Sequence, residues 1–234
     1  MITKQLLEEE LYEPIKNLFT SQGYVVKAEV KGCDVTAIKD GELVIIELKR
    51  GMSIKLLSQC VDRQKIGNSV YCGIFRPKKD NLKDISIILQ KLGLGLIVVD
   101  VVKNHKKAEI IVEPGINKKI TSVSRRKHII REAESRTIDC NCGGATRKKI
   151  MTAYRELSLS IACYLENNGP SSPASIKKAG IDSLKTSSIL NKNFYGWFLH
   201  ESRGVYGISD KGKNALENYT ELTKFYREVY GKNI

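Results

Sequence analysis

The chain has 234 residues, of which 39 are Lys or Arg and 26 Asp or Glu, giving a formal charge of +13, and 41% are hydrophobic. That much apolar side chain can bury a core, so a wholly disordered chain is excluded, and the length suits one large domain or two small ones. No apolar run approaches the roughly 18 residues of a membrane-spanning helix, and the polar, acidic start is not that of a signal peptide, so a cytoplasmic protein with no membrane partner is expected.

In chain order, Leu6, Leu7, Leu11, Ile15, Leu18 and Phe19 recur at helical spacing, which predicts a helix over 1–22 that ends at Gly23 and is open to a kink at Pro14. Strands are predicted at 24–30, 34–38 and 43–49, a helix at 56–64, a strand at 70–75, a helix at 82–92, and strands at 96–101 and 108–112. Strands interleaved with helices predict an α/β layer built on a mixed sheet.

Asp40-Gly41 is a strong two-residue hairpin signal, because both central positions of the favoured turn take positive φ. With those two residues as the loop, Thr36 faces Ile45, Asp34 faces Glu47 and Gly32 faces Lys49. Facing residues have Cβ atoms about 4.5–5.5 Å apart, and the alternation of a strand puts Glu47 and Lys49 on the face of Asp34. Two opposed carboxylates repel and weaken a sheet, so something must offset the repulsion. A divalent cation does this: Mg²⁺ is commonly held by one or two carboxylates with water and phosphate oxygens, and Mn²⁺ serves as well. Asp34 and Glu47, with the Leu48 carbonyl as a third oxygen, are therefore candidate metal ligands. Lys49 beside them is placed to stabilise a phosphate or an attacking water. A solvated sheet face is the plain alternative, and the apolar run 43–46 argues against it.

An acidic residue, a hairpin and Glu-x-Lys resemble the PD-(D/E)XK nuclease signature, here Asp34 followed by Glu47-Leu48-Lys49; Cys33 stands where a proline is usual. The resemblance extends further, to an uncharacterised bacterial and archaeal family of PD-(D/E)XK-type phosphodiesterases. It rests on stretches 11–14, 32–35, 44–49, 59–63, 143–147, 151–155, 193–198 and 203–206. The resemblance implies phosphodiester hydrolysis and a restriction-endonuclease-like mixed sheet flanked by helices. It also implies a polar residue aimed at the site from the following helix, where Gln59 and Arg63 share a face. Arg63 could then grip a phosphate bidentately or pair with Asp62 or a surface acid, and Glu8 or Glu9 could add a carboxylate.

Residues 116–150 hold 10 basic and 3 acidic residues, so more than half the net charge lies there. This stretch is read as a basic linker between domains 1–115 and 151–234, with a short helix over 125–136. Such a concentration of charge attracts phosphate backbones, and Arg125, Arg126, Lys127, Arg131 and Arg147 are its candidate contacts. Cys140 and Cys142 form a CxC pair without a second metal-ligand pair nearby, which is weak support for zinc.

Beyond it, helices are predicted at 153–167, 173–178 and 183–192, strands at 197–201 and 204–208, and a closing helix at 214–229. Three helices and a hairpin are the order of a winged helix-turn-helix domain, a small α+β fold. Lys185 and Thr186 would then lie on the recognition helix and Arg203 at the wing tip. The expected activity is a Mg²⁺- or Mn²⁺-dependent phosphodiesterase acting on nucleic acid, DNA before RNA, with Asp34, Glu47, Lys49, Gln59 and Arg63 as catalytic residues. A DNA-binding regulator that keeps a nuclease-like fold is the alternative, and a homodimer is left open.

Overall fold

The computed structural model describes residues 6–77, 82–102, 105–115, 121–136, 141, 150–181 and 184–231. The contacts divide the chain into two compact units, Met1–Ile150 and Met151–Ile234. No helix among the described residues is long and apolar enough to cross a membrane.

The first unit is a six-stranded mixed sheet between helical layers. Its strands β1 (Val25–Val30), β2 (Cys33–Lys39), β3 (Glu42–Leu48), β4 (Ser69–Phe75), β5 (Gly95–Val102) and β6 (His105–Val112) lie in sequential order. β1, β2 and β3 are antiparallel, β3, β4 and β5 parallel, and β6 antiparallel to β5. Parallel neighbours need a crossover, and α2 (Ile54–Arg63) and α3 (Leu82–Leu92) supply the two.

The β2–β3 register pairs Lys39 with Glu42 and Val35 with Ile46, and the turn residues Asp40 and Gly41 have φ of 50° and 78°, as the Asp-Gly signal requires. Lys31 and Gly32 form a second positive-φ turn between β1 and β2, so Gly32 sits in a turn rather than opposite Lys49. Glu29, with φ 53°, stands between the Ala28–Val35 and Val30–Cys33 pairs. This irregularity breaks the alternation: Ala28 and Val35 pack toward α1, whereas Val30 and Cys33 pack on the opposite face.

The predicted first helix is two elements. A 3₁₀ turn, Glu8–Leu11, is closed by the Leu7 amide donating to Glu10 Oε1 at 3.0 Å, and α1 (Tyr12–Ser21) follows. Pro14 falls in the first turn of α1, where an N–H has no intrahelical partner, so it starts the helix rather than kinking it. Tyr12, Ile15 and Phe19 of α1 pack on Val35, Ala37, Val44, Ile46 and Leu48. On the other face Leu56 and Cys60 of α2 and Leu89 of α3 cover Val70, Cys72, Ile74, Leu96 and Val98.

The stretch read as a linker contributes α4 (Val123–Glu134) to this unit. Ile129 and Ala133 pack against Val30, Cys33, Leu43 and Ile45. Just after the helix, the buried Arg136 guanidinium donates to the carbonyls of Ala28 and Glu29 at 2.8 and 2.9 Å. Arg126 donates to the carbonyls of Ile66 and Gly41 at 2.9 and 2.7 Å. Part of the basic excess thus fastens the helix to backbone oxygens.

The second unit contains α5 (Ala153–Asn168), α6 (Pro173–Lys178), α7 (Thr186–Lys192), a hairpin of β7 (Phe198–Ser202) and β8 (Val205–Ile208), α8 (Asp210–Asn218) and α9 (Thr220–Gly231). Thr152, Ser172 and Ser209 cap α5, α6 and α8 by accepting from amides in their first turns. Leu159, Ile161, Ile176, Ile189, Leu190, Trp197, Phe198, Tyr206 and Leu216 are buried. The single closing helix predicted over 214–229 is instead α8 and α9. Tyr219 leaves helical geometry at φ −120°, ψ 54°, and Thr223 Oγ1 donates back to the Leu216 carbonyl at 2.7 Å.

Candidate active site

The β2–β3 ladder ends at Val35–Ile46. One step further on, the Asp34 side chain replaces a backbone partner: its Oδ2 accepts from the Leu48 amide at 2.8 Å. On β3, Glu47 is 1% exposed, and its Oε1 accepts from Arg63 Nε at 2.5 Å. Glu47 Oε2 is buried with no hydrogen-bond partner among the described residues. Each carboxylate thus gives one oxygen to the protein, and the two side chains lie within hydrogen-bonding reach of each other.

The two carboxyls are close enough to perturb each other. Burial first, and then the Asp34 charge, push Glu47 up to about 7 despite Arg63. Burial also raises Asp34 above the ordinary carboxylate range, against the Leu48 amide and Lys49, which lower it. The floor beneath them explains the desolvation. Cys72 neighbours Glu47 in the β3–β4 register, and its Sγ lies 3.3 Å from Cys60 Sγ of α2; both thiols are fully buried. Burial likewise pushes the Cys33 thiol up to about 12, so it stays neutral. The charges rest on buried thiols and aliphatic groups.

Lys49 follows at the carboxyl end of β3, where its amide continues the ladder to the Gly73 carbonyl at 3.0 Å. Its half-buried ammonium donates to Glu8 Oε1 at 2.7 Å. The site thus lies at the carboxyl ends of parallel strands, where open α/β sheets place their ligands. An ammonium has three donors, so Lys49 retains hydrogen-bonding capacity beyond Glu8.

Arg63 is not at a surface. It is 8% exposed and bridges Glu47 and the Gly32 carbonyl, tying α2 to the β1–β2 turn. A phosphate grip from this position would require it to release both, so the pairing partner is Glu47, neither Asp62 nor a phosphate. Gln59, one turn earlier on α2, is half-buried. Leu48 turns its side chain into the α1 core, leaving its main chain at the site.

The residues present suit a hard divalent cation. Among the described residues no three His, Cys, Asp or Glu side chains cluster to hold a metal. Two adjacent carboxylates, with Glu47 Oε2 buried and without a geometric hydrogen-bond partner among the described residues, match a cation completed by carbonyl, water and phosphate oxygens. Glu8 is committed to Lys49, which places it beside the pair rather than among its oxygens.

The polyanion contacts expected from the sequence separate into groups. Arg125 pairs with Asp62 at 3.0 Å and Arg126 is structural, whereas Lys127 and Arg131, one turn apart on α4, are exposed. In the second unit Lys185 and Arg203 are exposed, the latter in the β7–β8 turn, but Thr186 is fully buried and cannot reach a groove. Arg147, Cys140 and Cys142 lie outside the described residues.

A family model described as "Putative PD-(D/E)XK phosphodiesterase (DUF2161)" matches residues 97–215. That span runs from β5 through α8 and contains none of Asp34, Glu47 or Lys49, so the geometry of the carboxylate pair is an independent observation. No curated protein and no solved structure matches the chain.

Proposed function

The chain belongs to this family of PD-(D/E)XK phosphodiesterases, and on that premise we propose that it is a nuclease that hydrolyses nucleic-acid phosphodiester bonds, DNA in preference to RNA, with Mg²⁺ or Mn²⁺. The observation that carries the proposal is the buried, unpartnered Glu47 Oε2 beside the Asp34 carboxylate, two residues before Lys49. A structural sheet gains nothing from that arrangement, whereas a metal-binding one depends on it.

A metal held there supplies Lewis acidity at a phosphoryl oxygen and a bound water of lowered pKa. Asp34 and Glu47 would hold it. The Leu48 amide and Arg63 fix one oxygen of each, so the ligands are oriented before substrate arrives. Glu8 holds the Lys49 ammonium by one proton and leaves its remaining donors for a phosphate oxygen as negative charge develops. Gln59 projects from the same helix face as Arg63 and is available to a water or phosphate.

Lys49→Ala is expected to lower the cleavage rate by about 10²–10³-fold, the usual cost of one transition-state donor, while leaving the Mn²⁺ concentration for half-maximal activity unchanged. Metal titrations of both proteins check this. If no form of DNA or RNA is cut at any Mg²⁺ or Mn²⁺ concentration, the non-catalytic DNA-binding reading replaces this one.

The second unit supports nucleic acid as the substrate. Its order of α5, α6, α7 and a two-stranded hairpin is that of a winged helix, with Lys185 exposed at the N-cap of α7, Ser188 exposed on it and Arg203 at the wing turn. On α4, Lys127 and Arg131 are the candidate phosphate contacts. Replacing both with Ala should shallow the log–log salt dependence of duplex binding by roughly 0.9 per lost contact, with no effect on melting temperature. Arg126→Ala should instead lower the melting temperature, because it leaves the Ile66 and Gly41 carbonyls without their donor.

A further inference from the structure

The second unit carries a large side chain that its own core does not use. Phe194 is 79% exposed. Its loop is nonetheless fixed at several points. Asn193, in the left-handed region at φ 41°, donates through Nδ2 to the Phe198 carbonyl at 2.7 Å and accepts from the Phe198 amide at 3.1 Å. The Gly196 amide donates to the Asn193 carbonyl at 2.8 Å, and Ser209 Oγ donates to the Gly196 carbonyl at 2.7 Å. The exposed ring is therefore held outward by a tied-down backbone.

Beneath the ring is an aromatic base. Phe194 meets Tyr195 and Tyr154 edge-on, at centroid distances of 5.2 and 6.4 Å. Tyr195 stacks on the buried Trp197 at 4.7 Å, and the Arg155 guanidinium lies 5.3 Å from the Tyr195 centroid. These contacts fix the ring from behind and leave a face to solvent. The surroundings are cationic. Lys192 is exposed two residues earlier, and the stem of Lys211 runs along Gly196, its Cδ 3.7 Å from where a Cβ would stand. No Asp or Glu occurs from Thr186 to Phe198, and the nearby Asp210 pairs with Lys213 at 3.7 Å.

We propose that Phe194 is a stacking platform for an unpaired base, with Lys192 and Lys211 meeting the adjoining phosphates. A fixed aromatic face with lysines nearby matches a nucleotide, which offers a π-face and an anion a few ångströms apart. A base inside a duplex has both faces covered by its neighbours, so the platform selects a strand with at least one unpaired nucleotide. The inference rests on the nucleic-acid reading above and adds the form of the substrate to it.

The test compares binding of the full chain, in chelator so that nothing is cut, to a fluorescent single-stranded 12-mer and to a duplex of the same sequence. Phe194→Ala is expected to weaken single-strand binding by about 5- to 150-fold, the range for one stacked base, and to leave duplex affinity and melting temperature unchanged. Phe194→Trp should restore binding. Retention of full single-strand affinity by Phe194→Ala would overturn the platform while leaving the nucleic-acid reading intact. An equal loss on both forms would show that the ring supports the fold. A wild-type dimer in sedimentation that Phe194→Ala dissolves would show that a second copy covers the ring. Failure of the wild-type protein to bind either form would overturn the platform and the nucleic-acid reading together.

Discussion

Asp34→Asn is expected to abolish metal-dependent cleavage and, in the same protein, to raise the stability of the metal-free fold. The loss follows from removing the only charge on one of two ligands, and about a hundredfold or more in metal affinity is a conservative figure. The gain follows from the metal-free pair. Burial and Asp34 hold the Glu47 carboxyl up to about 7, so above that pH both carboxylates are ionised and oppose each other in a buried site. An Asn oxygen still accepts from the Leu48 amide, so the substitution removes repulsion without removing that bond. A gain of about 1 kcal/mol in urea denaturation at pH 8 is expected, together with loss of the stabilisation that Mn²⁺ gives the wild type. If Asp34 served the fold alone, the same variant would be less stable and equally indifferent to Mn²⁺.

Arg63→Met should produce the largest stability loss of any single site residue. It strips the buried Glu47 Oε1 of its donor and charge partner and leaves the Gly32 carbonyl without its own. Breaking a buried pair from one side typically costs about 3–5 kcal/mol. The cost depends on pH, with a definite sign. Glu47 has a folded pKa above its unfolded value, so its contribution to stability is greatest at low pH and falls as pH rises from about 4.5 toward about 7. Without Arg63 that fall is steeper, so the deficit should be largest at pH 8 and clearly smaller at pH 6, measured by denaturant titration in chelator. A deficit independent of pH would mean that Glu47 is not the group Arg63 sustains. Arg63→Lys keeps a charge but lacks the fork that reaches two acceptors at once, so it should rescue only part of the loss.

The parts of this site that are local in sequence were legible from it. Asp40-Gly41 dictates a two-residue turn, the turn dictates the register, and the register carries Asp34 next to Glu47; each link is short-range chemistry. Arg63 was not legible in this way. Its role depends on α2 turning back over β3 and on the Lys31-Gly32 turn coming within reach, neither of which has a local signal. The same limit applies to charge. Charge count alone leaves the basic run 125–136 free for polyanions, yet a guanidinium is also the best side-chain donor for backbone carbonyls, and Arg126 and Arg136 are used in that way. Helical periodicity over 214–229 survives a break that contains no Gly or Pro, as at Tyr219, so the sequence carries no sign of it. Position along its helix points Thr186 to a groove, and only the packing of that helix shows that it faces inward.

Arg136 has a bearing on how the molecule avoids other molecules. β1 is the outermost strand at its end of the sheet, and an outermost strand offers free carbonyls to any passing chain. Here two of those carbonyls, on Ala28 and Glu29, are taken by one buried guanidinium, and the left-handed backbone of Glu29 breaks the straight row of donors and acceptors that strand addition requires. That end of the sheet is plugged from within the same chain, by a residue more than 100 positions downstream. A fragment ending at residue 115 would contain every strand of the sheet and all of the carboxylate site, and yet would leave β1 open to fibril-like pairing. For this protein the practical boundary of the catalytic unit is set by what keeps its sheet solitary.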